Sequence, residues 1–161
     1  MTAHLDEFDI KILNILQNDN RLTSEQLAQQ VGLSPSSVQR RLRRLRKDKI
    51  IESEMAVLSP EAVGRNLTAV IEIALEHTHA QTAIENFKRF VLSRPEIMQC
   101  YYVTGGIDFV LITTFEDMQD YQLFLRRIAS HEKLHLKSVQ TNIVVERVKT
   151  SLAVPIRSDV S

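Results

Sequence analysis

The sequence predicts an α+β chain built from two parts, an N-terminal winged helix-turn-helix and a C-terminal ferredoxin-like βαββαβ domain. Three observations carry that expectation. Two helical patterns meet across only Gly32 and Leu33, each opened by a hydroxyl residue placed as a cap. The second helix carries Arg40, Arg41, Arg43, Arg44, Arg46, Lys47 and Lys49 in a run broken by a single acid, Asp48. From Leu67 onward the apolar period switches between two and three-to-four, in the order βαββαβ. The expected bounds are 1–60 for the winged helix-turn-helix, 61–66 for a linker, 67–150 for the ferredoxin-like domain and 151–161 for a C-terminal tail.

Composition narrows the function classes. With 161 residues, 43% of them hydrophobic, the chain can fill one core or two small ones. Its 20 basic residues balance 20 acidic ones, so attraction for a polyanion must come from local clustering. Cys100 is the single cysteine, which excludes an internal disulfide and suits a reducing cytosol. No apolar run approaches the roughly 18 residues of a membrane span. The opening Met1-Thr2-Ala3-His4-Leu5-Asp6 lacks the basic and apolar regions of a signal peptide. A cytoplasmic protein with no membrane partner is expected.

The first helix is expected from Asp6 to about Asn18, with Phe8, Ile12, Ile15 and Leu16 on one face. Asp6, Glu7 and Asp9 stand at the end that the helix dipole favours for acids. Thr23-Ser24-Glu25-Gln26 has the form of a capping box, and Gly32 is placed to end the helix it opens. Ser34 caps the third helix and Pro35 takes its first turn, where a missing N–H costs nothing. Val38, Leu42 and Leu45 give that helix one narrow apolar stripe. Arginines four residues apart, such as Arg40 and Arg44, repel, and a bound polyanion would relieve them.

In a helix-turn-helix the second helix of the pair enters the major groove, leading with its N-terminal residues. The expected DNA-binding residues are therefore Thr23, Ser34, Ser36, Ser37, Gln39, Arg40, Arg43, Arg44 and Lys47. Short hydroxyls and an amide can read base edges, and arginines can take phosphates or guanine. Arg43 and Arg44 are expected mainly to supply electrostatic affinity, so that Arg44→Ala would flatten the salt dependence. Paired reading helices would enter successive major grooves about 34 Å apart on double-stranded promoter DNA.

After Asp48 the period changes. Ile50 to Leu58 reads as short strand material that would form the wing, and Ser59-Pro60 breaks it. Leu67, Ala69, Ile71, Ile73 and Leu75 alternate as a half-buried strand, and Ala80, Ile84, Phe87 and Val91 have helical spacing. Ile97, Gln99, Tyr101 and Val103 alternate up to a Gly105-Gly106 turn, and Phe109 to Phe115 fits a central strand. Met118, Tyr121, Leu125 and Ile128 mark a helix, and Val139, Thr141, Ile143 and Val145 a last strand. A four-stranded sheet with helices on one side leaves its other face bare, and a second copy of the chain would cover it.

Leu5-Asp6 with Asp9 and Ile12-Leu13, Gly32-Leu33-Ser34-Pro35 with Arg41-Leu42, Leu45 and Ile50-Ile51, and Val103-Thr104-Gly105-Gly106-Ile107-Asp108 together resemble the Lrp/AsnC family of transcriptional regulators. The resemblance covers nearly the whole chain. It implies dimers, often assembled into octamers, that bind promoter DNA and respond to an amino acid held between βαββαβ domains. The loop matching Gly-x-x-Asp would bind that effector through Tyr102, Thr104, Gly105, Gly106 and Asp108. The glycines let backbone N–H groups approach a carboxylate, and Asp108 can face an α-ammonium group. On the residues alone, a plain hairpin whose turn Asp108 fixes is the preferred reading. The chain departs from the family in two places. Lys49 stands where glycine is common, and His135-Leu136 stands where Pro-Gly often precedes the last strand.

Other chemistry finds little support. His131 and His135 lie four apart, yet no Cys or third His adjoins them, so no metal is expected. His77 and His79 close a strand and are expected to face solvent. Cys100 lacks any local nucleophile signature. No phosphate loop, dinucleotide fingerprint or catalytic carboxylate pair is present, so the chain is expected to be no enzyme and to carry no cofactor beyond an amino-acid effector. The alternative is a ligand-sensing oligomer whose DNA binding is weak or architectural.

Overall fold

Local capping sets the N-terminal helices. Asp6 and Asp9 form a reciprocal capping box at the start of α1 (Glu7–Leu16), and Thr23 and Gln26 form another at α2 (Ser24–Val31). Gly32 ends α2 in the left-handed conformation, at φ 75°. Ser34 then accepts from the Ser37 N–H to open α3 (Pro35–Lys47). Each such cap is worth about 1 kcal/mol. These elements belong to a computed structural model that describes residues 4–76 and 80–156, so His77 and His79 lie outside the described residues.

The described chain forms two compact units. One contains the residues up to Ala56 together with the tail from Lys149, and the other is Val57–Val148. In the first unit Ile12, Leu13, Leu27, Ala28, Val31, Val38, Leu42 and Leu45 make the core. Ile50, Ile51 and Ile156 pack against it.

The expected wing is not formed. Residues 52–59 carry no strand, and Met55, Val57 and Leu58 are exposed. The apolar residues that suggested the strand act otherwise. The Ile50 N–H bonds back to Leu45 O at 2.9 Å, which closes α3 and swings Ile50 and Ile51 onto the helical core. Lys49 makes that bend in the left-handed conformation, at φ 57°.

The second unit follows the expected order: β1 (Leu67–Leu75), α4 (Ala80–Leu92), β2 (Ile97–Tyr102), β3 (Phe109–Phe115), α5 (Met118–Ala129) and β4 (Leu136–Ile143). The antiparallel sheet runs β2-β3-β1-β4, which is the ferredoxin-like arrangement. Ala69, Ile71 and Ile73 of β1 and Phe109, Leu111 and Phe115 of β3 are buried with Ala83, Phe87, Phe124 and Ile128 of the helices. The register pairs Val70 with Ile112 and Glu72 with Val110 on the opposite face.

Two strand readings change. An irregularity between Ile97 and Gln99 shifts the phase of β2, so Cys100, opposite Leu111, packs against the core in place of Gln99. Val145 lies beyond the end of β4 and is wholly exposed.

Candidate nucleic-acid interface and ligand loop

On α3, residues three and four apart share a face. Val38, Leu42 and Leu45 are buried, and Ser36, Arg40, Arg43 and Lys47 recur on the opposite, exposed side with Gln39 on its flank. Among the described residues no carboxylate pairs with Arg40, Arg43 or Lys47. This leaves an uninterrupted basic stripe aimed away from the core.

Arg41 and Arg44 have a different environment. Arg41 Nη1 donates to Asp6 at 2.6 Å and to Asp9 at 2.8 Å, and Arg44 Nη2 donates to the other oxygen of Asp9. Asp9 is 0% exposed, while the Arg41 side chain is 17% and that of Arg44 46% exposed. Burial pushes the Asp6 carboxyl up, but the Asp9 N–H and the Arg41 guanidinium outweigh it and hold Asp6 below its ordinary range. Arg46 pairs with Glu54 at 2.8 Å. The crowded cations are therefore partly neutralised within the chain, where the sequence suggested relief by a polyanion. Arg44, expected as a free phosphate ligand, is engaged with a buried carboxylate.

The hydroxyls are also occupied. Thr23 Oγ1 accepts from the Gln26 N–H at 3.3 Å. Ser34 Oγ lies 2.9 Å from Ser37 Oγ and 3.1 Å from Ser36 Oγ. Thr23, Ser34 and Ser37 thus first serve the ends of α2 and α3.

In the second unit, the loop after β2 is stapled to β1. Asp108 Oδ2 accepts from the Leu75 N–H at 2.7 Å, and the Asp108 N–H donates to Ile73 O at 2.8 Å. The Val103 N–H donates to Asp108 O at 2.8 Å. Asp108 therefore fixes the turn, which is the plainer of its two expected roles, and its second carboxylate oxygen has no partner among the described residues. Gly105 sits at φ 128°, a conformation that favours glycine. Thr104, Gly105 and Gly106 are exposed, and a side chain added at either glycine would meet only open space. Tyr102, also exposed, rests against Phe109 with ring centroids 5.0 Å apart, and Lys88 Nζ lies 5.8 Å over its ring.

The other candidate groups do not assemble into a centre. His131 meets Phe90 edge-on at 5.7 Å, and His135 closes a 3-10 turn at φ 47°. Among the described residues, no three His, Cys, Asp or Glu side chains gather as a metal site would need. Burial pushes the Cys100 thiol up, away from a reactive thiolate. Among the described residues no helix is long and apolar enough to cross a membrane.

Sequence reasoning missed Asp9. It reads as one more acid at a helix start, and the signal that could have singled it out is its place on the same face as the buried Ile12 and Leu13. It also missed the tail, where Gln17 and Val154 pair.

Comparison with known proteins places these features. The AsnC-type helix-turn-helix domain matches residues 5–46, and the Lrp/AsnC ligand binding domain matches residues 68–154. An HTH-type transcriptional regulator of Sinorhizobium fredii is 45% identical over 152 residues, covering 94% of this chain and 89% of its own. The leucine-responsive regulatory protein of Escherichia coli is 35% identical over 150 residues, covering 91% of this chain and 88% of its own. Among solved structures, a transcriptional regulator of Neisseria meningitidis in complex with L-Met superposes with a TM-score of 0.88 at 35% identity, covering 94% of this chain and 97% of its own. The chain belongs to the Lrp/AsnC family, which consists of helix-turn-helix transcriptional regulators and not enzymes.

Proposed function

We propose that this DNA-binding regulator reads promoter DNA with the exposed side of α3 and is controlled by an amino acid held at the loop after β2. Ser36, Gln39 and Arg40 lead into the major groove and specify sequence. Arg40, Arg43 and Lys47 take phosphates. Thr23, Ser34 and Ser37 shape the helix ends that approach the backbone. The observation that carries the reading is the unpaired stripe Arg40-Arg43-Lys47 opposite a fully apolar buried stripe.

For the effector, the N–H groups around Gly105 and Gly106 receive a carboxylate, and the free oxygen of Asp108 receives the α-ammonium group. Thr104 and Tyr102 border the site. An amino acid fits the relatives, one named leucine-responsive and another bound to L-Met. A second copy of the chain covers the bare sheet face, where Val70, Val110 and Ile112 are only partly buried and Tyr101 is exposed. Assembly into an octamer and a cytoplasmic location accord with the family.

Fluorescence anisotropy tests the reading, using a duplex from upstream of the protein's own gene against unrelated duplex at two salt concentrations. Specific regulators favour their sites by 10³-fold or more, and that preference is expected. Equal, strongly salt-dependent binding to both would leave only the charge contribution and refute sequence reading by α3.

A further inference from the structure

We propose that Asp9 is a positioning residue for DNA reading, one that draws Arg41 and Arg44 onto α1 so that only the opposite stripe of α3 addresses the duplex. This deepens the function proposed above and rests on it. Asp9 has no exposed surface, yet both of its oxygens are engaged: Oδ1 by Arg41 at 2.8 Å, and Oδ2 by Arg44 and by the Asp6 N–H at 3.2 Å. A buried carboxylate stripped of a partner is costly, so Arg44 cannot leave for a phosphate without exposing that cost. Arg41 and Arg44 are three residues apart on α3, so one carboxylate on α1 grips the helix at two points. That two-point grip fixes the roll of α3 about its own axis, which decides which side chains face a groove. Arg41 also lies over the Phe8 ring, with its guanidinium carbon 5.5 Å from the ring centroid.

The charge pattern follows. Of the seven cations between Arg40 and Lys49, Arg41, Arg44 and Arg46 are neutralised in place by Asp6, Asp9 and Glu54. Arg40, Arg43, Lys47 and Lys49 have no carboxylate partner among the described residues. The first three of these share the exposed face with Ser36. Two adjacent arginines, Arg43 and Arg44, therefore have different roles.

The test compares the slope of log affinity against log salt for wild type, Arg43→Ala, Arg44→Ala and Asp9→Asn, on the upstream duplex and on unrelated duplex. Each phosphate contact contributes about 0.9 to the slope. Arg43→Ala is expected to lower the slope by about that amount. Arg44→Ala keeps the wild-type slope but narrows the preference for the upstream duplex, because α3 loses half its grip. Asp9→Asn frees Arg44 and leaves Arg41 held by Asp6 alone, so its slope steepens on both duplexes while the preference falls. Thermal unfolding identifies which variants are folded, and the Arg43→Ala and Arg44→Ala pair decides the matter if Asp9→Asn does not fold. A slope in Arg44→Ala reduced as much as in Arg43→Ala would overturn the role of Asp9 and leave α3 as the reading helix. A wild-type protein without preference for any duplex would instead overturn the reading helix itself.

Discussion

Gln17 and Val154, 137 residues apart, hydrogen-bond to each other in both directions: Gln17 Nε2 donates to Val154 O at 3.1 Å, and Gln17 Oε1 accepts from the Val154 N–H at 2.5 Å. The tail that follows β4 thus closes on α1, and Ile156 packs against the helix-turn-helix core beside it. The DNA-binding unit is completed by a segment from the far end of the chain. Truncation after Ser151 removes these contacts and should lower the stability of the N-terminal unit by about 1–3 kcal/mol, the range for losing a hydrogen-bonded apolar anchor. Thermal unfolding followed by circular dichroism checks this, with Ile156→Ala as the milder variant.

Asp6 gives a pH dependence with a definite sign. Its carboxyl is held below the ordinary value of 3.8 in the folded chain, with the Asp9 N–H and Arg41 overcoming the opposing effect of burial. A depressed folded pKa contributes stability that is present above the unfolded pKa and lost as pH falls through the folded one. The unit should therefore hold its melting temperature down to about pH 4 and lose it below. Asp6→Asn should melt lower at neutral pH and show a flatter profile in acid.

The two glycines of the loop separate folding from binding. Gly105 at φ 128° should tolerate alanine poorly, with a cost of about 1–2 kcal/mol for the unfavourable backbone. Gly106 has an ordinary φ and open space around it, so Gly106→Ala should leave the melting temperature nearly unchanged. The added methyl stands where the effector carboxylate would approach, and the amino-acid response should weaken tenfold or more. Calorimetric titration of amino acids into both variants checks the split.

Lys49 takes a left-handed backbone at the end of α3. Lys49→Gly should raise stability by up to about 1 kcal/mol, since relief of the backbone penalty outweighs the added freedom of the unfolded chain. A lower melting temperature in this variant would mean the lysine side chain itself holds the bend.

Much of the fold was legible because local signals and global packing agree. Thr23, Gly32, Ser34 and Pro35 each mark a helix boundary by their own chemistry, and the alternation of Leu67–Leu75 and the apolar run Phe109–Phe115 match the two central strands. What escaped depends on distant partners. Asp9 looks like any acid at a helix start until Arg41 and Arg44, over 30 residues on, are folded against it. Ile50 and Ile51 carry strand propensity but spend it on the helical core, so no wing forms. The β2 irregularity moves Cys100 to the core face, which strict alternation could not reveal. In the candidate site, the stripe Arg40-Arg43-Lys47 was visible as charge, but separating it from Arg44 required the packing of α1 on α3.

The proposed function requires that an amino acid at the Thr104–Asp108 loop and DNA at α3 influence one another. Linkage requires the influence to be mutual and equal. The direct measurement is the dissociation constant for the upstream duplex with and without each amino acid, paired with the dissociation constant for that amino acid with and without duplex. One amino acid, or a small set, is expected to shift DNA affinity by roughly 5–150-fold, with DNA shifting the amino-acid affinity by the same factor. If no amino acid moves DNA affinity, or if one binds the protein while its affinity ignores DNA, the loop does not control α3.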